Sequence, residues 1–104
     1  MVNNSFQASL TNSKFNTLEE KNNIQPKTTT TYTATKNCIM IIIANIKATN
    51  SGNVLISVNN LEVRNELLSG SQNYIDTITL PLVQGDVASI KIDSTLVSEY
   101  RIFA

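Results

Sequence analysis

Leu80-Pro81-Leu82-Val83-Gln84-Gly85-Asp86-Val87 is a turn set between two runs of β-forming residues, and its reading decides the fold. Gly85 suits the third position of a type II turn, where φ is positive and a Cβ is penalised. Pro81 has no N–H to give to a ladder, so the strand it ends belongs at a sheet edge or outside the ladder. Asp86, directly after the glycine, is placed to cap its own turn. The stretch is a corner at which one strand hands the chain to the next.

The pattern continues outward in both directions. Val87 to Ile92 follows the corner as a strand, and Asp93-Ser94-Thr95 turns the chain into a last strand, Leu96 to Phe103. Tyr74 to Leu80 precedes the corner, after a Ser69–Gln72 loop. Further upstream, Val54-Leu55-Ile56-Ser57-Val58 and Leu61-Glu62-Val63-Arg64 are joined by Asn59-Asn60. A two-residue hairpin loop needs positive φ at both positions, which asparagine tolerates best after glycine. Such a loop sets Val58 opposite Leu61 and Ile56 opposite Val63 on an apolar face. It sets Ser57 opposite Glu62 and Leu55 opposite Arg64 on the other.

The strongest strand is Cys38 to Lys47. Its even positions, Cys38, Met40, Ile42, Ala44 and Ile46, are all apolar, and its odd positions begin Ile39, Ile41, Ile43. A helix could hold so apolar a run, but three successive isoleucines, flanking asparagines and short length favour a strand. Ala48 to Asn53 is a loop, and Thr28 to Lys36 is a β-branched, polar strand suited to an edge. Short strands at this spacing, with no helical period, predict an all-β antiparallel sandwich or jelly roll over residues 28–104.

Residues 1–27 differ: they are rich in Asn, Ser, Thr, Gln and Lys, with sparse apolar side chains and no self-standing core. Two readings fit, a disordered tail or an extended arm that docks on another surface. Phe6, Leu10, Phe15 and Leu18 are more than a spacer needs and favour the arm, with these four as its docking residues.

Composition excludes several function classes. Eight basic and eight acidic residues cancel, and the basic ones form no stripe, which argues against nucleic acid or an anionic membrane as partner. The longest apolar run, Cys38 to Ala44, is far short of the roughly 20 residues of a membrane span. The chain has no histidine, the commonest general base and metal ligand. Its one cysteine, Cys38, sits among apolar neighbours as a small core hydrophobe. The carboxylates show no spacing of an acid/base pair, and three glycines make no phosphate loop. The expectation is a non-enzymatic protein with no cofactor and no metal.

Alternation also predicts an oligomer. Met40, Ile42, Ala44 and Ile46 can face a sandwich core, but Ile39, Ile41 and Ile43 then point away from it. Burying three isoleucines is worth roughly 4–9 kcal/mol per chain, and leaving them bare invites aggregation. These three are the expected oligomer interface; the physics alone asks only for more than one copy.

From Tyr32 to Phe103 the chain resembles a recurrent module of tailed-bacteriophage structural proteins: small β-sandwich domains of capsid decoration proteins, head fibres and tail fibres. They are related in shape to trimeric jelly rolls such as the tumour-necrosis-factor fold. Tyr32-Thr33-Ala34-Thr35 before an apolar strand, the Ile56–Val63 hairpin and the Leu80–Val87 corner carry the likeness. Asn37 and Cys38 depart from it where Asp-Gly is usual, and Asn60 replaces a hairpin glycine. The resemblance implies a homotrimeric virion component on the particle surface, assembled in the host cytoplasm. Its N-terminal arm would anchor it to the major capsid protein or another virion protein. A receptor- or glycan-binding fibre module is the alternative, weakened by the absence of Trp and only three Tyr.

Overall fold

The computed structural model describes residues 17–47, 53–67 and 73–104. Its strands are β1 (Leu18–Ile24), β2 (Thr29–Thr33), β3 (Cys38–Ile46), β4 (Asn53–Val58), β5 (Leu61–Leu67), β6 (Tyr74–Leu82), β7 (Val87–Ile92) and β8 (Ser98–Phe103). They form two four-stranded sheets, β1-β8-β3-β6 and β2-β7-β4-β5, in which all neighbours are antiparallel. The pairs β1–β8, β2–β7, β3–β6 and β4–β5 are those of one long hairpin folded at Asn59-Asn60. Rolling that hairpin brings β3 beside β8 and β4 beside β7. The fold is therefore a jelly roll, the all-β sandwich that the strand pattern predicts.

β3 lies inside its sheet, and alternation sends Cys38, Met40, Ile42, Ala44 and Ile46 into the core. Val54 and Ile56 of β4 and Ala88, Ile90 and Ile92 of β7 meet them from the other sheet. The pairing of β3 with β8 stops at Ile43. Beyond it two buried serines take over from the missing ladder partners. Ser98 Oγ accepts from the Asn45 N–H at 2.9 Å, and Ser94 Oγ accepts from the Lys47 N–H at 2.9 Å. Ser94 in turn donates to the Asn45 carbonyl at 3.0 Å.

Two expectations are corrected. The sandwich begins at Leu18, not at residue 28: β1 pairs with β8 from Leu18↔Phe103 to Ile24↔Ser98, and Ile24 is buried. The strand escaped notice because both its faces are exposed until Ile24, so no apolar alternation marks it. The hairpin keeps Val58↔Leu61 and Ser57↔Glu62, then shifts by one, so that Ile56 faces Arg64 and Leu55 faces Asn65. Val63 is the extra residue of a β-bulge. The bulge leaves Val63 and Arg64 on the same side, which a strict two-residue period does not allow for.

Both turns have the expected backbone. Asn59 and Asn60 have φ of 53° and 66°, and Gly85 has φ of 93°. The Asp86 N–H donates to the Val83 carbonyl at 3.0 Å, closing the turn, and the Asp86 carboxylate accepts from the Val83 N–H at 2.9 Å. The hairpin tip and the corner are also stitched together. Asn59 Nδ2 donates to Asp86 Oδ1 at 2.9 Å, and Asn59 Oδ1 accepts from the Val87 N–H at 2.9 Å. Asn37 and Ala34, in the β2–β3 loop, accept from the N–H groups of Gln84 and Gly85. β6, which holds Pro81, is an edge strand as that proline requires.

These geometries set an expected pair of outcomes in chemical denaturation. Asn60→Gly leaves stability unchanged or raises it, because glycine adopts positive φ more cheaply. Gly85→Ala lowers it by on the order of 1–2 kcal/mol, the cost of a left-handed conformation for an L-residue. Open space around Gly85 assigns that loss to the backbone and not to a clash.

Candidate functional site

Three places in the described residues bring chemistry or bare apolar surface together. The first is the outer face of the β3 sheet, where the three predicted isoleucines stand in one column, half-buried by their cross-strand neighbours. Rows run across all four strands. Leu18–Phe103–Ile39–Pro81 is entirely apolar, Lys21–Arg101–Ile41–Thr79 is mixed, and Asn23–Glu99–Ile43–Thr77 is largely polar. Arg101 Nε donates to Glu99 at 2.8 Å, with Lys21 at 3.9 Å, and these cations hold the Glu99 carboxyl below its ordinary range. Leu18, expected to dock on the particle, is thus a half-exposed member of a strand in the domain itself. Phe6, Leu10 and Phe15 lie outside the described residues.

The second place is the mouth between the two sheets, where edge strands β5 and β6 face each other. At one end Arg64 bridges the sheets, its guanidinium ion-paired with Asp76 of β6 and with Glu66. Inward-pointing charges of this kind discourage a further strand from adding. The other end has no such guard. Val58, Leu61, Val63, Leu80 and Pro81 line a groove of about 370 Å³, with Asn59 and Asp86 at its rim. Leu61 is 71% exposed and Val63 52%, although both lie on the core side of β5. Val58 and Leu80 pack directly on the core cluster, so the groove is core left uncovered. Sequence reasoning missed it: Leu61 and Val63 read as core residues, and only the position of β6 shows that nothing lies over them.

The third place is polar and part-buried, around the buried Tyr100. The rings of Tyr32 and Tyr100 lie 5.7 Å apart between the sheets. The Tyr100 hydroxyl donates to Glu20 Oε2 at 2.8 Å and accepts from Asn22 Nδ2 at 3.0 Å. These contacts explain why a strand as polar as β1 holds its place. Burial first, and the adjacent Glu20 carboxylate second, push the Tyr100 phenol up to about 12. Cys38 is fully buried beside Tyr32, and burial pushes its thiol up, away from thiolate chemistry. Among the described residues no group of three or more metal-ligating side chains comes together. Among the described residues the uncovered apolar groove is the feature suited to contact with another surface.

The raised Tyr100 phenol makes a pH test. Its folded value lies above the ordinary 10, so its contribution to stability is complete below pH 10 and is lost as pH rises from about 10 to 12. Tyr100→Phe is expected to be less stable at neutral pH by about 1 kcal/mol. It should also show a shallower loss of stability across that alkaline window, read from denaturant midpoints at stepped pH.

Comparison with protein-family models, with curated proteins and with solved structures finds no match to this chain.

Proposed function

We propose that the chain is a non-enzymatic structural component of a tailed-phage virion, a capsid decoration or head-fibre module that works as a homotrimer on the particle surface. The observation that carries this reading is the apolar groove at the β5–β6 mouth, an uncovered surface on an otherwise tightly packed jelly roll. Such a groove, together with the half-buried isoleucine column on the outer face of the β3 sheet, suits a protein built for contact with other proteins. Further support comes from the likeness to phage modules, two of whose three segments are the hairpin and the corner. In this domain those two turns are tied to each other through Asn59 and Asp86.

In this reading Ile39, Ile41 and Ile43 contact neighbouring copies. The segment that precedes β1 reaches to the major capsid protein or another virion protein. The chain enters β1 where the Ala104 N–H bonds the Thr17 carbonyl at 3.0 Å, at the same end as the stitched turns. That end would face the particle.

Two measurements test the proposal. Mass spectrometry of purified virions of the encoding phage should find the protein in fixed stoichiometry to the major capsid protein; its absence from virions ends the reading. Light scattering of the purified protein should give three times the chain mass, and Ile41→Lys should reduce it to the chain mass with an unchanged circular dichroism spectrum. A wild-type monomer at micromolar concentration overturns the oligomeric part.

A further inference from the structure

The β5–β6 groove is core without a cover, and residues 1–16 carry apolar side chains too sparse to build a core of their own. We infer that this segment covers the groove of its own copy, with Leu10 seated among Val58, Leu61 and Leu80. The inference concerns a single copy and needs neither the oligomer nor the virion. Where the virion reading also holds, the segment leaves the groove to reach the particle, so anchoring uncovers the groove.

Reach and direction support it. Thr17 enters β1 at the end of the sandwich that holds the hairpin tip and the corner, and Asn59 and Asp86 place the groove at that same end. From Leu18 the apolar row through Phe103 and Ile39 ends on Pro81, which lines the groove. Three inter-strand steps make that crossing about 14 Å, and passing from one sheet to the other at the mouth adds about 10 Å. Leu10 stands eight residues before Leu18, and eight extended residues span about 26 Å. That length brings Leu10 to the groove, while Phe15, with a reach of about 10 Å, meets the apolar row on the way. Size and composition favour a tethered segment over a second protein. Seven residues line the groove, against roughly 20–30 a side in a stable interface. A segment already attached loses little further freedom on docking and is present at an effective concentration on the order of millimolar. Among residues 1–16 only Lys14 has a charged side chain, so almost no charge must leave water for an apolar lining. At the other end of the mouth the ion pairs of Arg64 with Glu66 and Asp76 block the space, which fixes the end from which the segment enters.

Engineered thiols in the full chain test this. Cys38 is fully buried and stays out of the reaction. Leu10→Cys combined with Val63→Cys is oxidised in air beside a control, Leu10→Cys combined with Thr33→Cys. Thr33 is exposed on β2, pairs with Val87 at the same end of the sandwich and lies within the same reach. A loose tether therefore links to either position, and a seated one links to Val63→Cys alone. The expected result is an intrachain disulfide in the first variant, read by mass spectrometry of the digested protein. It should form at least about tenfold faster than in the control, at a rate independent of protein concentration. Leu61→Cys takes the place of Val63→Cys if that variant fails to fold. A rate no greater than the control's, a link between chains only, or no link overturns the contact. Each of these leaves the virion reading standing, and absence of the protein from virions leaves this contact standing.

Discussion

Everything in this domain depends on the two-sided pairing of β3. One strand edge is laddered to β6 along its whole length and the other to β8 from Ile39 to Ile43. A strand held on both sides has no freedom to rotate, so its alternation becomes an instruction. One set of side chains must build the core and the other must face out. The core set carries five apolar residues with no polar interruption, and it meets a matching set from β4 and β7. The outward set begins with three isoleucines because no polar requirement competes there. The same constraint that stabilises the sandwich thus sets three half-buried isoleucines on its outer face.

Much of this was legible in the residues, for identifiable reasons. β3 announced itself through period-two alternation, the hairpin through Asn59-Asn60, and the corner through Gly85 with Pro81 and Asp86. Each of these signals is local, and local signals survive in sequence. β1 was not legible. It is a ladder strand with polar faces, held by backbone pairing, by Ile24 and by the Tyr100 hydroxyl, whose partner Glu20 lies far from it along the chain. The bulge at Val63 was hidden too, because one inserted residue changes the facing of a strand without changing its composition. The groove was hidden by distance along the chain: period-two alternation already puts Leu61 and Val63 on the core side, and only the long-range placement of β6 leaves them uncovered.

Polar groups in this fold act mainly as fasteners. Ser94 and Ser98 complete a ladder that runs out of partners, Asn59 and Asp86 bind two turns, and Arg64 joins two sheet edges. Low charge and abundant Asn, Ser and Thr suit that work, because short side chains reach nearby backbone at small entropic cost. The described side chains with buried nitrogen or oxygen atoms leave none without a partner. Among the described residues the part left without cover is apolar, with Leu61, Val63 and Leu67 all more than half exposed.

The adjacency of β1 and β8 has a mechanical consequence. Their outer ends, Thr17 and Ala104, are bonded to each other, and the strands run antiparallel from there. A force pulling those two points apart loads the ladder at its first rung and peels it open one bond at a time. A force between Thr17 and the opposite end of the sandwich instead loads all rungs of the β1–β8 ladder together, in shear. The domain is weak to the first direction and strong to the second. A tether upstream of β1 with load borne at the far end uses it in its strong direction.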